Sequence, residues 1–306
     1  MQATTPSLPD GVLIVNKHAG VTSHDIVGKV RRLYGTRAVG HAGTLDPMAT
    51  GVLVVLLGRA AKASEYLTGA AKRYIATLRL GITTDTEDTT GEVLSQCDTL
   101  PDAEAVAQTV ARFAGEILQT PPMYSALKRD GQKLVDLARR GITVEREARA
   151  VTVYAIACTP TEHPDEYTLD VTCSGGTYIR TLCADIGAAL GCGGAMSALQ
   201  RVSACGFALQ QSHTIEQLEQ LDESARRALL IPTEALFAAL PSVQLSPFYY
   251  KLCRNGCAVA QKKLHLALPP GARVRMYTPE RTFFALGEIV LTDEGEALKT
   301  VKVFTI

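Results

Sequence analysis

The segment Gly40-His-Ala-Gly-Thr-Leu-Asp-Pro-Met-Ala-Thr-Gly51 leads directly into the apolar run Val52-Leu-Val-Val-Leu-Leu57. This run, enclosed by glycines, predicts a buried strand over 52–57. The residues before it lack periodicity and are rich in glycine, threonine and proline, which predicts a loop over 37–51. Because Asp46 precedes Pro47, its backbone is biased towards an extended conformation that aims the carboxylate outward. The segment is either a functional loop on a rigid scaffold or an ordinary turn of Gly, Asp and Pro.

The patterns on either side of this loop predict a mixture of strands and helices. A compact apolar run predicts a buried strand over 11–15, and Ser23 is a suitable N-cap for a helix that ends at Gly35. Further strands are predicted at 72–80, 151–157, 167–173 and 202–209, and further helices at 60–67, 102–114, 132–140, 177–190, 215–221 and 225–237. Because these elements do not alternate strictly as βαβ units, we predict an α+β fold with a mixed, mainly antiparallel sheet flanked by helices.

A domain boundary is predicted at 241–247, which separates a large domain (1–240) from a small β-rich one (246–306). Short strands are predicted there at 258–260, 273–277, 282–290 and 299–304, separated by Pro-Pro-Gly and Glu-Gly turns. The chain has 31 basic and 31 acidic residues, so it is not a generic basic nucleic-acid coat. From Leu245 onward, however, nine basic residues face five acidic ones, which makes the small domain the favoured place for phosphate contacts.

The cysteines and the chain start predict a cytoplasmic protein without a metal. Eight cysteines are scattered without a C-x-x-C pair, which favours ordinary thiols in a reducing compartment over a zinc site. The first eleven residues lack the basic and apolar regions of a signal peptide, and the run 52–57 is too short to span a bilayer. The sequence also has no P-loop and no dinucleotide fingerprint, so we expect no cofactor.

The loop around Asp46 closely resembles the signature of the TruB family of tRNA pseudouridine-55 synthases. Other segments resemble that family's motifs in the same order over about two-thirds of the chain. These are Gly11–Lys17 with Gly20-Val-Thr-Ser23, Lys72-Arg-Tyr-Ile with Thr84-Asp-Thr-Glu-Asp88, Pro121-Pro-Met-Tyr-Ser-Ala-Leu-Lys128, Gly176-Thr-Tyr-Ile-Arg-Thr181 and Leu199-Gln-Arg201. Ala42 and Met48 stand where other members often have Thr and Leu, but neither position is expected to take part in the chemistry.

The resemblance implies a pseudouridine synthase fold, a loosely similar PUA-like domain over 246–306, and isomerisation of uridine 55 in the T-arm loop of tRNA. It implies that Asp46 is the catalytic aspartate, with Tyr74 and Arg180 in the same site. It places His41 near the flipped base, and Tyr178 and Leu199 along the uracil pocket. Phosphate contacts are expected from Lys17, Arg37, Lys128, Arg129 and the basic small domain, and Lys17 is preferred because it lies directly after a strand end in a matching motif. We expect a monomer with no obligatory protein partner.

The chemistry of this reaction suits these residue types. One carboxylate near C1′ can attack as a nucleophile or remove a ribose proton as a base, and the sequence leaves both open. Burial in a base-filled pocket tends to raise a carboxyl pKa, and a guanidinium such as that of Arg180 opposes the rise. Tyr74 offers a ring for stacking and a hydroxyl for the C5 proton. The uridine must leave its stack, and His41 can fill the vacated place.

Three other functions were considered. A non-catalytic RNA-binding protein would use the same basic patches but has no need of a carboxylate facing phosphate-rich RNA. A guide-RNA-dependent relative would depend on protein partners, whereas the segment 93–115 fits a stand-alone enzyme better. A metal-dependent nuclease would need clustered carboxylates. The run Asp85-Thr-Glu-Asp88 is the candidate for such a cluster, and it fits a polar turn better.

Overall fold

The computed structural model describes residues 9–67, 69–129 and 131–305. We predicted from the first eleven residues that there is no signal peptide. Of these eleven, residues 1–8 lie outside the described ranges. The helices are α1 (Ser23–Tyr34), α2 (Ala103–Ala111), α3 (Leu134–Ala138), α4 (Ile179–Leu190), α5 (Ile215–Gln220), α6 (Glu223–Ala228) and α7 (Pro247–Arg254), and the 3-10 helices include Gly58–Tyr66 and Thr233–Phe237.

The strands of the first part of the chain are β1 (Gly11–Lys17), β2 (Val39–Ala42), β3 (Thr50–Leu57), β4 (Lys72–Leu80), β5 (Ile82–Thr84), β6 (Val93–Gln96), β7 (Gly115–Gln119), β8 (Lys128–Arg129), β9 (Gln132–Lys133), β10 (Arg149–Pro160), β11 (Glu166–Cys173), β12 (Gly194–Ala204) and β13 (Phe207–Ala208). Those of the last part are β14 (Ser242–Gln244), β15 (Val259–Ala260), β16 (Arg273–Tyr277), β17 (Phe283–Thr292) and β18 (Gly295–Val303).

A nine-stranded sheet forms the centre of the molecule. Its main path runs β1-β3-β12-β4-β11-β10-β7, while β2 pairs with β3 and β13 pairs with β12. Strands β12 and β3 run parallel, and the other described pairs of this sheet are antiparallel. Helices α2 and α4 cover one face of β4, β11 and β12, and α1 covers β1 and β3. The predicted α+β fold with a mixed, mainly antiparallel sheet is therefore confirmed.

A second, five-stranded sheet occupies the last part of the chain, in the order β14-β16-β17-β18-β15. It has its own core, but Phe283 and Phe304 also pack against Phe237 and the outer face of β1 and β3. The division at 241–247 stays a prediction. Strand β14 falls inside that segment and pairs with β16, so the second sheet begins at Ser242.

Several predicted elements need correction. The loop before β3 is shorter than 37–51, because Val39–Ala42 form β2 and pair with β3, and His41 therefore lies on a strand. Strand β12 begins at Gly194 rather than 202, since its small residues carry no strand signal but are held by pairing with β4. Helix α3 is much shorter than 132–140. Helix α7 was not predicted, although Ser246 at the N-cap and Pro247 at N1 are a regular helix start.

The N-cap of α1 is Thr22 rather than Ser23. The Thr22 side chain accepts a hydrogen bond from the Asp25 backbone, and the Asp25 carboxylate accepts one from the Thr22 backbone, which completes a capping box. Ser23 is thereby free to turn inward towards the Asp46 loop. Helix α1 ends at Gly35 in the left-handed conformation, as predicted. In the part of the chain that the structure describes, no helix has the length and apolarity needed to cross a membrane.

Candidate active site

The Asp46 loop, defined as residues 43–49, connects β2 to β3 and is fixed by its own apolar side chains. Leu45 and Ala49 are buried in the same core cluster as Tyr74 of β4 and Leu199 of β12. The residues on either side of the segment 46–48 are therefore buried, while the Asp46 side chain remains 33% exposed. The outward carboxylate predicted from the Asp-Pro sequence is present.

Three buried polar side chains hold the backbone of the loop from below. Ser23 accepts a hydrogen bond from the Leu45 amide at 2.8 Å and donates to the Leu45 carbonyl at 3.1 Å. Lys17 donates to the Pro47 carbonyl at 3.2 Å. Arg201 donates to the Gly43 carbonyl at 3.0 Å and to the Thr44 carbonyl at 3.2 Å. The residues on both sides of Asp46 are thus fixed by side chains from three different elements.

Arg180 grips the Asp46 carboxylate with two hydrogen bonds. Its Nε donates to Oδ2 at 2.8 Å and its Nη2 donates to Oδ1 at 3.2 Å. The remaining donors of the guanidinium reach the carbonyls of Thr86 at 2.9 Å and Tyr124 at 2.8 Å, and the arginine is only 5% exposed. A two-pronged pair of this kind fixes direction as well as charge. The Asp46 carboxylate therefore has a fixed orientation, and its exposed side faces solvent.

The turn that contains Asp85, Glu87 and Asp88 forms a wall of the site. Asp88 accepts hydrogen bonds from Thr86 and Thr90, and its other oxygen lies 3.8 Å from Arg180 Nε. The Glu92 backbone donates to Asp85. Glu87 accepts a hydrogen bond from Thr181, and burial raises the pKa of its carboxyl. These carboxylates serve the turn itself, and among the described residues no group of three or more potential ligands could hold a metal ion.

Tyr74 lies on the buried face of β4 beside the loop. Burial raises the pKa of its hydroxyl, a nearby Arg201 charge opposes the rise, and Asp46 is close enough to add to it. A phenol with a raised pKa stays protonated near neutral pH, so in the free protein it is suited to stacking and hydrogen-bond donation. The proposed transfer of the C5 proton to Tyr74 requires this pKa to fall when RNA binds.

Tyr178, at the N-cap of α4, is half-buried and fixed by Gln119. The Gln119 side chain accepts a hydrogen bond from the Tyr178 amide at 2.8 Å and donates to its carbonyl at 3.0 Å. Burial raises the pKa of the Tyr178 hydroxyl, and Asp46 again contributes. Leu199 is buried on β12 opposite Ala76 of β4. Tyr178 therefore lies within electrostatic reach of Asp46, and Leu199 lies in the core cluster that contains Leu45 and Ala49 of the Asp46 loop.

His41 is half-buried on β2, opposite Val55, five residues before Asp46. Burial lowers the pKa of its imidazole, and the Arg201 charge acts in the same direction. The ring is therefore neutral near neutral pH, which suits insertion among stacked bases better than pairing with a phosphate.

Lys17 is placed differently from the prediction. It is fully buried, and its ammonium donates to the carbonyls of His18, Val21 and Pro47 rather than facing solvent. Burial lowers its pKa to about 8, with Asp46 opposing. A phosphate cannot approach a cation that is enclosed in this way, so we assign Lys17 to holding the Asp46 loop.

Sequence reasoning missed Ser23, Gln119 and Arg201 as residues of the site. Ser23 is predicted only as a helix cap, and Gln119 lies just before the matching segment 121–128. Arg201 belongs to a matching motif but received no role. Arg201 lies just before the strand predicted at 202–209, so no local pattern marks it as buried, and its burial follows only from the pairing of β12 with β4 and β3.

A cavity of about 550 Å³ lies beside the site on the segment 121–149. Its charged lining residues are Lys128, Arg129, Arg146, Arg149, Glu145 and Glu147. The surplus of basic side chains gives this cavity an anion-attracting lining. Arg146 also donates to the Pro121 carbonyl at 2.9 Å, which ties this surface to the loop that contacts Arg180.

Comparison with solved structures and family models identifies the class. The chain matches a crystal structure of a Cbf5-Nop10-Gar1 complex with a TM-score of 0.74 and 26% identity, over 97% of this chain and 86% of that one. Residues 31–179 match the model of the TruB family pseudouridylate synthase N-terminal domain. Residues 180–238 match the tRNA pseudouridylate synthase B C-terminal domain. The fold is that of a pseudouridylate synthase, and Asp46 lies inside the segment that matches the N-terminal domain of that family.

Two relatives with curated names identify the family within this class of enzymes. The tRNA pseudouridine synthase B of Dechloromonas aromatica is 46% identical over 274 residues, which is 89% of each chain. The protein of the same name from Burkholderia mallei is 44% identical over 88% of this chain and 89% of its own. The chain belongs to the TruB family of pseudouridylate synthases.

Proposed function

We propose that this protein converts uridine 55 in the T-arm loop of tRNA to pseudouridine. The relatives that match nearly their whole length are named tRNA pseudouridine synthase B, which supports tRNA as the substrate. The observation that carries the chemistry is the Asp46 carboxylate, gripped by Arg180 and open to solvent on its other side. The enzyme acts in the cytoplasm as a monomer and needs no cofactor.

The reaction begins with removal of the uridine from its stack, because its reacting atoms are inaccessible inside folded RNA. His41 fills the vacated place, while Tyr74, Tyr178 and Leu199 enclose the base. With C1′ in front of Asp46, the N1–C1′ bond breaks and uracil departs as an anion. The base turns over and C5 bonds to C1′, which also breaks any bond that Asp46 has formed to C1′; the C5 proton then leaves while N1 takes up a proton. No atom is gained or lost over the whole reaction.

Asp46 has two possible roles in the first step. As a nucleophile it forms a bond to C1′ as uracil leaves. As a base it takes the C2′ proton, and it returns that proton when C5 attaches. Uridine carrying deuterium at C2′ distinguishes the two roles, since only proton removal gives a primary isotope effect on a single turnover. A rate unchanged by the deuterium would favour nucleophilic attack.

The enzyme is expected to work without a guide RNA or protein partner. The matched Cbf5 structure is a complex with Nop10 and Gar1, whereas the curated relatives of this chain carry the name of a tRNA enzyme. The phosphate contacts come from the basic cavity lined by Lys128, Arg129, Arg146 and Arg149, and from the last domain. A PUA-like role in RNA binding is proposed for that domain.

The test is to map pseudouridine in unmodified tRNA transcripts treated with the purified protein alone, in EDTA. We expect one product, at position 55, and none in a transcript with cytidine at that position. Modification at another uridine would contradict the assigned target. Product that forms only after a cell extract is added would contradict the stand-alone role.

A further inference from the structure

Arg201 occupies the centre of the main sheet, where the elements of the active site meet. It lies on β12, directly opposite Tyr74 of β4 on one side and Gly51 of β3 on the other. Opposed residues on neighbouring strands project to the same face, so the Arg201 side chain lies next to that of Tyr74. It is fully buried.

The guanidinium uses three donors on three backbone carbonyls. Nε donates to Val52 at 2.7 Å, Nη1 to Thr44 at 3.2 Å and Nη2 to Gly43 at 3.0 Å. The acceptors lie at the start of β3 and at the beginning of the Asp46 loop, so one rigid fork spans the junction between strand and loop. A lysine side chain is shorter and ends in a single ammonium nitrogen, so it cannot bond to all three of these carbonyls in the way the planar guanidinium does.

At Gly51 and Arg201 the backbones of β3 and β12 lie too close together for either strand to shift past the other. Gly51 has a φ of 101°, and a Cβ added to it would lie 2.2 Å from the Arg201 carbonyl. Strands β3 and β12 therefore approach each other too closely here for any side chain at position 51, next to the Arg201 guanidinium. This junction therefore fixes the start of β3 against β12, beside the point where Arg201 bonds to the Asp46 loop.

The charge of Arg201 is costly to keep. None of the ion pairs among the described residues includes Arg201, while Lys17 and Lys72 are both close enough for its charge to lower their pKa values. Burying a charge that has no counter-ion carries a desolvation cost that its hydrogen bonds must offset. The advantage of an arginine at position 201 therefore lies in how it positions the three backbone carbonyls that it binds.

We infer that Arg201 is a positioning residue that holds the Asp46 loop and Tyr74 in their reactive arrangement before RNA binds. This inference rests on the proposed roles of Asp46 and Tyr74. It predicts that loss of the fork leaves RNA affinity intact and slows the chemical step, because misplacement of reacting groups by about 1 Å can cost roughly 100-fold in rate.

The test uses full-length Arg201→Met and Arg201→Lys, with tRNA affinity and single-turnover rate measured separately. We expect affinities within about two-fold of the parent, a loss of roughly 100-fold in rate for Arg201→Met, and a smaller loss for Arg201→Lys. Arg226→Lys is the matched control, since Arg226 also donates to backbone carbonyls but lies on α6, away from the site. Its rate should equal that of the parent.

Each other outcome has a definite meaning. A rate within about two-fold of the parent for Arg201→Met would overturn the inference, and so would a loss confined to tRNA affinity. If Arg201→Met does not fold, the folded Arg201→Lys variant decides in the same way. Asp46→Asn, assayed in parallel, separates this result from the proposed function. If that variant still makes product, Asp46 is not catalytic, whatever the behaviour of Arg201.

Discussion

At the scale of single residues, the space beneath Asp46 contains more buried cations than carboxylates. Lys17, Lys72, Arg180 and Arg201 are all at least nine-tenths buried, and Asp88 is the buried carboxylate beside them. Such an excess is costly in itself, but it offsets the cost of enclosing the Asp46 carboxylate when a base fills the pocket. The arrangement serves the reaction more than the stability of the fold.

Replacement of Arg180 by lysine should nearly abolish turnover. The ammonium keeps a charge near Asp46, but it cannot bond to both carboxylate oxygens and to the carbonyls of Thr86 and Tyr124 together. We expect a loss of roughly 100-fold or more in single-turnover rate, with little change in tRNA affinity. Activity close to that of the parent would show that charge alone suffices.

Lys17 should give the protein a measurable pH dependence of stability. Its pKa is about 8 when folded and 10.5 when unfolded, so the unfolded chain binds more protons between these values. The cost of the buried charge is fully present below pH 8 and is relieved as the pH rises towards 10.5. Relative to Lys17→Met, the parent should gain roughly 2 kcal/mol of unfolding free energy between pH 7 and pH 10.

Urea unfolding of both proteins at several pH values measures this difference. Because the other groups titrate in both proteins, their contributions cancel in the comparison. A difference that stays constant from pH 7 to pH 10 would mean that Lys17 titrates at its ordinary pKa in the folded protein.

The residues that are expected to face the substrate are easier to single out from the sequence than the residues that hold them in place. Asp46, Tyr74 and Arg180 lie in motifs whose chemistry demands their side chains, and the structure brings them together. Lys17 lies in an equally good motif, but its ammonium turns inward to the carbonyls of His18 and Val21 and to that of Pro47 in the distant Asp46 loop, and this last contact is not encoded by local sequence. Arg201 and Ser23 are recognised only when the strands and the helix that bear them are packed.

At the scale of elements, the site depends on where α1 begins. The capping box of Thr22 and Asp25 satisfies the first turn, so Ser23 can bond to both backbone groups of Leu45. Predicting the cap one residue too late hid this contact. Strand β12 shows the same dependence on context: its first half, rich in glycine and alanine, is a strand because β4 pairs with it.

Replacement of Ser23 by alanine should therefore loosen the loop. It leaves the buried amide and carbonyl of Leu45 without that partner, which typically costs about 1–3 kcal/mol. We expect lower thermal stability together with a slower single turnover. Thr214→Ala, which removes the corresponding capping box of α5, is the control and should lower stability alone. If Ser23→Ala and Thr214→Ala turn over at the same rate, the Ser23 contacts to Leu45 do not contribute to the reaction.

At the scale of the whole molecule, the two sheets are joined by an apolar contact. Phe304 is 2% exposed and stacks on Phe283 with a centroid distance of 5.5 Å, and both lie against Phe237. Arg273 also lies over the ring of Tyr66 at 4.9 Å. Removal of residues 246–306 would expose this contact, so a deletion would change stability as well as RNA binding.

Charge neutralisation is a cleaner test of the last domain. Lys262 and Lys263 are exposed and adjacent, and they contribute to the basic surplus after Leu245. Replacing both by glutamine should weaken tRNA binding and reduce the slope of log affinity against log salt by about 1–2, because fewer counterions are released. The rate at saturating tRNA should not change. An unaltered slope would remove these lysines from the RNA interface.

The central claim is that Asp46 carries out an isomerisation that needs nothing beyond this chain and its RNA. The most direct measurement is release of tritium from tRNA labelled at C5 of uridine, with the parent and Asp46→Asn, without added metal or cofactor. We expect the parent to release the label of one uridine per tRNA and the variant to bind tRNA but release none. Release at near-parental rate by Asp46→Asn, or none by a parent protein that binds tRNA, would contradict the account.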